Sequence, residues 1–257
     1  MSSLTTSLVG KVAVVTGSSR GIGAAIALRL AEEGATVVVN YVNSSSPAEK
    51  IVSTIKSQGK GDAIAIKADV SSLEGGKQLL DEAVKNFGKI DILILNAAFV
   101  ENKTLADTDE SLYDTHFNTN VKGPLFTVKY AVEKGMFPPT GGRVLFFSSS
   151  LVGNSTISPN YLVYVMTKGA VEQMSRVLAR DLASKNITVN TVSPGPTDTD
   201  AFRQGKTQQL INTIAGSSPF NRLGEPGEIA AVAAFLASPG AQWVSGQNLK
   251  VNGASTV

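Results

Sequence analysis

Two side chains in "NYLVYVMTKGAV", residues 160–171, have types and spacing suited to proton transfer. Tyr164 and Lys168 stand four positions apart, so on a helix they share one face a single turn apart. Tyr161 has Val165 in the equivalent place and lacks such a partner. A phenol ionises near pH ~10, too weak an acid to protonate a developing alkoxide at neutral pH unaided. An ammonium group one turn away favours the phenolate and draws that value down. The pair therefore suits a general acid at a carbonyl oxygen. Taken alone, the same spacing also describes an aromatic residue and an extended lysine on an ordinary helix.

The composition removes several competing chemistries. The 257 residues hold no cysteine and one histidine, His116. Disulfides, thiolate nucleophiles and Cys-based metal sites are excluded, any Ser-His-Asp triad must use His116, and no metal is expected. Lys and Arg number 23 against 21 Asp and Glu, a formal charge of +2 that gives no signal for nucleic acid or an anionic membrane as partner. The start, "MSSLTTSLVGK", lacks the cationic and then apolar pattern of a secretory signal. No apolar run approaches the ~18 residues of a membrane helix. A cytoplasmic protein acting on a small molecule is expected.

The elements that must position Tyr164 and Lys168 follow from periodicity. Short β-branched runs alternate with longer amphipathic segments, and seven strands are expected: "KVAVVTG" (11–17), "ATVVVNY" (35–41), "DAIAIKADV" (62–70), "IDILILNAA" (90–98), "GRVLFFSSS" (142–150), "ITVNTVS" (187–193) and "GQNLKVNG" (246–253). Nearly unbroken Val and Ile within them indicates burial on both faces, as in a parallel sheet covered by helices. Helices are expected at about 47–58 and 72–87, behind the second and third strands. The fold class is α/β: one Rossmann-like, doubly wound domain spanning 1–257, with a seven-stranded parallel sheet and helices on both faces. The stretch 194–226 is rich in Gly, Pro, Ser and Thr, and is expected to be a functional loop with a short helix near 207–214.

Behind the first strand stands "TGSSRGIG", 16–23, with Gly17, Gly21 and Gly23 separated by Ser19, Arg20 and Ile22. Small residues where a strand turns into a helix let the backbone approach a pyrophosphate, which the helix N-terminus attracts. The spacing Gly-x3-Gly-x-Gly differs from the common G-x-G-x-x-G fingerprint.

The "TGSSRGIG" loop, "LNAA" (95–98), "YVMTK" (164–168) and "SPGPTDT" (193–199), in this order, resemble the short-chain dehydrogenase/reductase family over roughly residues 9–253. NAD readers commonly carry an acid at the end of the second strand. Here "VVVNYVNSSSPAEK" (37–50) places Asn40, Tyr41, Asn43 and Ser44 there, and the first carboxylate is Glu49. Neutral donors plus the Arg20 cation suit the 2′-phosphate of NADP(H).

The resemblance implies further roles. Asp69-Val70 would contact adenine, and Asn96-Ala97-Ala98 would line the cofactor, with Ala98 standing where the family has glycine. Tyr164 would be the acid, and Lys168 would lower its pKa and bind the nicotinamide ribose. "SLVG" (150–153) aligns Ser150 with the family serine that polarises the substrate oxygen, with Ser149 as runner-up. Asn120, rather than Asn118, would hold a water of the proton relay through its backbone carbonyl. Pro194 and Gly195 would turn the chain under the nicotinamide, and Thr197 and Thr199 would reach its amide or the pyrophosphate. Phe99, Val100, Leu151, Val152 and Phe202 are pocket candidates for a hydrophobic or aromatic ketone, and equally core candidates. The expectation is an NADPH-dependent carbonyl reductase, run reversibly and forming a homo-oligomer, tetramer or dimer, from helices near 112–135 and 160–184 and the region of Trp243. Alternatives are a 3-oxoacyl or polyhydroxynaphthalene reductase and a catalytically silent NADP-binding sensor. An enoyl reductase is disfavoured, because related enoyl reductases space Tyr and Lys farther apart.

Overall fold

The seven β-branched runs assemble into one parallel sheet; the structure, a computed structural model, describes residues 6–256. The strands are β1 (Val12–Val15), β2 (Thr36–Tyr41), β3 (Asp62–Lys67), β4 (Ile92–Leu95), β5 (Gly142–Phe147), β6 (Ile187–Pro194) and β7 (Asn248–Val251). The helices are α1 (Gly21–Glu32), α2 (Ser45–Gln58), α3 (Leu73–Phe87), α4 (Glu110–Phe117), α5 (Gly123–Glu133), α6 (Leu162–Asp181), α7 (Asp200–Arg203), α8 (Gln208–Gly216) and α9 (Pro226–Ala237). The sheet order is β3-β2-β1-β4-β5-β6-β7.

Alternation along each strand feeds two separate cores. Ala13, Val15, Val37, Val39, Ile92, Ile94, Leu145 and Phe147 pack with Ile26 and Leu30 of α1 and Ile229 and Leu236 of α9. Their neighbours Val14, Val38, Leu93, Leu95, Val144 and Phe146 turn to the other face and pack with Leu79 and Leu80 of α3, Val128 of α5 and Val171 of α6. Both faces are covered, so every second residue cannot be polar, and the strands read as continuous apolar runs.

Several boundaries differ from the sequence reading, each for a physical reason. β4 ends at Leu95 and β5 at Phe147, so "NAA" and "SSS" begin loops instead of finishing strands. α2 starts at Ser45, before Pro47, because amides of the first turn have no intrahelical acceptor and proline costs little there. The helix expected over 112–135 is two helices joined by a π turn, Asn118–Lys122, with Pro124 at the start of α5. α6 stops at Asp181 and gives way to the 3-10 turn Ala183–Lys185, closed by Asn186 at φ 57°. The irregular stretch holds two helices, α7 as well as α8. Among the described residues no helix is long and apolar enough to cross a membrane.

Parallel pairing brings all strand C-termini to one edge. The glycine loop follows β1, residues 96–98 follow β4, the three serines follow β5, and Gly195–Thr199 follows β6. Between β1 and β4 the order reverses, which opens the crevice where such sheets bind ligands.

Candidate active site

The glycine loop is braced from both sides. Gly17 and Gly21 adopt φ values of 61° and 57°, the left-handed region that glycine enters without strain. A Cβ on Gly23 would lie 2.4 Å from the Gly17 carbonyl oxygen, so α1 seats against the loop as only glycine permits. Asn40, expected to face a cofactor phosphate, is fully buried instead. Its Oδ1 accepts from the Gly17 amide at 3.0 Å and its Nδ2 donates to the Ala68 carbonyl at 3.0 Å. Asn96 works similarly, donating to the carbonyls of Thr16 at 3.0 Å and Gly17 at 3.2 Å. The Thr16 hydroxyl then accepts from the Ala97 amide at 3.0 Å. Both asparagines shape the loop and spend their side chains inside the protein, a role legible only once β1, β2 and β4 are side by side.

Two helix N-termini beside this loop lack side-chain caps. Ser72, Asp109, Thr199 and Thr207 each accept from an amide of the helix they precede, whereas Arg20 before α1 and Ser44 before α2 do not. The first turn of α2 contains no acid, and Arg20, Asn43 and Ser44 are exposed. Arg20 has no ion-pair partner among the described residues. Uncapped amides, a nearby cation and small polar side chains form a fitting cradle for phosphates. Ser19, Ile22 and Tyr41 are half-buried around it, the latter two packed against the core. Asp69 is exposed and accepts from the amide and hydroxyl of Ser71, at 3.0 and 2.7 Å, while Val70 is buried. Ala98 is exposed at the end of β4's loop.

The segment after β6 folds back over the loop. Pro194 ends the strand, and the Gly195 amide donates to the Val251 carbonyl at 2.9 Å. A Cβ on Gly21 would sit 3.5 Å from the Thr199 methyl, which fixes Thr199 above the glycine loop. The two threonine hydroxyls are used locally: Thr197 donates to the Gly195 carbonyl at 2.9 Å, and Thr199 accepts from the Phe202 amide at 3.1 Å. A bridge between Thr197 and Gly224 closes the stem of the long segment. There the Asp198 amide donates to Gly224 at 2.8 Å, and the Gly224 amide donates to Pro196 at 2.9 Å. Arg203 grips Asp198 in two bonds of 2.6 and 2.7 Å.

The opposite wall carries the proton-transfer candidates. Tyr164 and Lys168 lie one turn apart on α6, with Lys168 Nζ 5.5 Å from the Tyr164 ring centre and donating to the Phe147 carbonyl at 2.8 Å. The Ser149 side chain, and not that of Ser150, stands close enough to the Tyr164 hydroxyl to favour its ionised form. Ser150 is buried and opens a 3-10 turn, Ser150–Gly153, where its carbonyl accepts from the Thr256 hydroxyl at 3.3 Å. Ser149, the runner-up of the sequence reading, is therefore the serine beside the phenol. Counting back from Gly153 selects Ser150, whereas counting forward from the end of β5 reaches the extended Ser149, at φ −155°.

Burial dominates the titration of the pair. It pushes the Tyr164 phenol up to about 12, against a lowering by the Ser149 side chain. It brings Lys168 down to about 8. Tyr164 keeps partial exposure, so solvent tempers its shift, while Lys168 is 3% exposed and feels burial in full. Lys168 alone therefore does not supply the depressed phenol that the sequence suggests.

Asn120 occupies the π turn, a distortion frequent at functional sites, and its side chain does more than the sequence reading assigned. Oδ1 accepts from the Phe99 amide at 2.7 Å, and Nδ2 donates to the Phe99 carbonyl at 2.9 Å and to Thr167 at 3.0 Å. Thr167 in turn donates to the Tyr164 carbonyl at 2.6 Å. Asn120 thus pins the loop after β4 to α6. His116 is fully buried against Phe99, edge to face at 4.7 Å, with Nε2 accepting from the Glu101 amide at 3.2 Å and Nδ1 2.9 Å from the Leu112 carbonyl. These partners suit the tautomer with a proton on Nδ1 and make the ring a structural clasp. Among the pocket candidates, Phe99, Leu151 and Val152 are half-buried beside these segments and Val100 is exposed. Phe202, on α7, stacks under Lys206 Nζ at 4.7 Å.

Comparison with known proteins agrees with this architecture. A family model described as enoyl-(acyl carrier protein) reductase matches residues 17–256. A short-chain dehydrogenase/reductase from Serratia marcescens superposes with a TM-score of 0.91 at 33% identity, covering 97% of this chain and 99% of that one. The chain belongs to the short-chain dehydrogenase/reductase family. Within it, a probable tetrahydroxynaphthalene reductase of Zymoseptoria tritici is 40% identical over 98% of this chain and 96% of that protein. The angucycline C-6 ketoreductase LanV, solved with bound NADP, has a TM-score of 0.88 at 34% identity, covering 96% of each chain.

Proposed function

We propose that this short-chain dehydrogenase/reductase is an NADPH-dependent carbonyl reductase that converts ketones to secondary alcohols, reversibly. The observation that carries the reading is the Tyr164 hydroxyl beside Ser149, with Lys168 Nζ behind the ring. The uncapped starts of α1 and α2, with Arg20, Asn43 and Ser44, fit the pyrophosphate and the 2′-phosphate of NADPH. That dinucleotide supplies the hydride. Ser149 donates to the substrate oxygen and steadies its developing charge. Tyr164 gives that oxygen its proton, which suits a phenol held neutral by burial. Lys168, anchored on Phe147, supports the phenolate left behind and binds the nicotinamide ribose. Asn120 holds the loop after β4 in register with α6 and anchors the proton relay.

The likeness to a tetrahydroxynaphthalene reductase and an angucycline ketoreductase favours polycyclic aromatic ketones over 3-oxoacyl thioesters. The same reading takes 1–257 as one catalytic domain, 194–226 as its substrate loop, and the protein as a cytoplasmic homo-oligomer. Trp243, 99% exposed, supports an interface there, which light scattering tests.

The deciding experiment measures NADPH and NADH oxidation with aryl ketones, polyhydroxynaphthalenes, β-keto esters and 3-oxoacyl thioesters, alongside Tyr164→Phe. Turnover with NADPH that falls by roughly 10²–10⁴ in the variant is the expected result. NADPH binding without turnover of any ketone moves the sensor reading ahead.

A further inference from the structure

We infer that Glu172 is a positioning residue whose carboxylate locks the helix that carries Tyr164 and Lys168 to the turn that carries Ser149, an inference that rests on the carbonyl-reductase reading. Glu172 follows Lys168 by one turn of α6, on the same face. Its Oε1 accepts from the Ser148 hydroxyl at 2.8 Å and lies 3.5 Å from the Ser193 hydroxyl. Ser148 stands between the end of β5 and Ser149, and Ser193 immediately precedes Pro194 and Gly195. Both serines are buried, at 5% and 1% exposure. One carboxylate therefore joins the helix bearing Tyr164 and Lys168 to the turn bearing Ser149, and lies beside the bend leading to the glycine-loop cover.

Proton bookkeeping decides which bonds form. The Ser148 hydroxyl has one hydrogen and two acceptors in reach, Glu172 at 2.8 Å and the Lys168 carbonyl at 3.2 Å; the shorter, charge-assisted bond wins. The Ser193 hydroxyl gives its hydrogen to Asn248 Oδ1 at 2.6 Å, which extends the network into β7. One turn further along α6, Thr191 donates to Ser175 at 2.6 Å and adds a second polar rung between α6 and β6. With Lys168 Nζ on the Phe147 carbonyl, α6 grips the end of β5 at two adjacent residues. Glu172 touches no reacting atom in this scheme. It sets how far Ser149 stands from Tyr164, a separation to which rates are steeply sensitive.

A glutamine at this position keeps the oxygen that accepts from Ser148, so Glu172→Gln is the conservative control. The test uses full-length protein, NADPH and the best ketone of the panel. Glu172→Ala is expected to lower kcat by about tenfold or more while KM for NADPH moves by less than about twofold. Glu172→Gln is expected to restore kcat to within about threefold of wild type, an outcome that general loss of packing does not give. Ser148→Ala should match Glu172→Ala, and the double variant should be no worse than either, because all three remove one bond. Wild-type kcat in Glu172→Ala, equal damage in both Glu172 variants, or multiplicative losses in the double variant would each overturn the inference. If Glu172→Ala does not fold, Ser148→Ala and Glu172→Gln decide the matter by the same criteria. Failure of the carbonyl-reductase reading looks different: wild type itself turns over no ketone.

Discussion

Exchanging Ser149 or Ser150 for alanine separates two neighbours of identical chemistry. The Ser149 hydroxyl stands beside Tyr164 and is the group that counters burial of the phenol, which already stands at about 12. Removing it takes away a donor at the developing alkoxide, worth roughly 10²–10³ in kcat, or about 2.7–4 kcal/mol. It also lets the phenol climb further, so the loss persists across the accessible pH range. Ser150 meets the C-terminal segment through its backbone carbonyl, which alanine keeps. Its hydroxyl makes no hydrogen bond among the described residues, so the expected change is about twofold. Initial rates at saturating NADPH, with the dissociation constant for NADPH determined separately, distinguish catalysis from binding. A Ser150→Ala variant impaired a hundredfold beside a near-normal Ser149→Ala would refute the assignment and restore the glycine-anchored alignment.

Two further outcomes follow from the geometry. Lys168 stands at about 8 when folded, below its ordinary value of 10.5, so above pH 8 the unfolded chain binds more protons and stability rises with pH up to 10.5. Urea unfolding at pH 7 and pH 10 should show wild type gaining about 2–3 kcal/mol relative to Lys168→Met, and parallel curves would contradict the buried ammonium. Tyr164 acts oppositely, but only from pH 10 toward about 12. Arg20→Ala should weaken NADPH binding by about 10–100-fold and leave NADH nearly unchanged in fluorescence titrations, because a charge-assisted bond to the 2′-phosphate is worth about 1.5–3 kcal/mol. Equal losses for both dinucleotides would place Arg20 on the pyrophosphate instead.

The sheet was legible because burial on both faces leaves long apolar runs such as Val37–Val39 and Ile92–Leu95, whose meaning does not depend on distant residues. Tyr164 and Lys168 were legible because their relation is local to one helix. Where a role depends on a partner far along the chain, the sequence is silent. Asn40 and Asn96 look like cofactor ligands until β1 lies between them, and Asn120 shows its grip on Phe99 only when α5 and β4 meet. Ser149 and Ser150 differ by one residue of register: counting from the strand end reaches Ser149, and counting back from the downstream glycine reaches Ser150. The break between α4 and α5 had a visible sign in Pro124, which lacks an amide hydrogen for the preceding turn.

The bridge between Thr197 and Gly224 brings the two ends of a segment of α7 and α8 to neighbouring positions before either reaches the sheet. Chain between such paired ends can lengthen, shorten or change composition at modest entropic cost, since closure is already made at the stem. Residues 198–223 are in this sense a cassette, closed at the stem by Asp198 and Gly224 and held to the body by Ser218 on the Gly253 carbonyl and Arg222 on Glu228. Exchange of the part beyond Thr199 would keep the glycine loop's cover, α6 and the serine turn. New substrate ranges then arise by splicing rather than by rebuilding the catalytic wall, and grafting the segment between relatives is the corresponding route for an engineer.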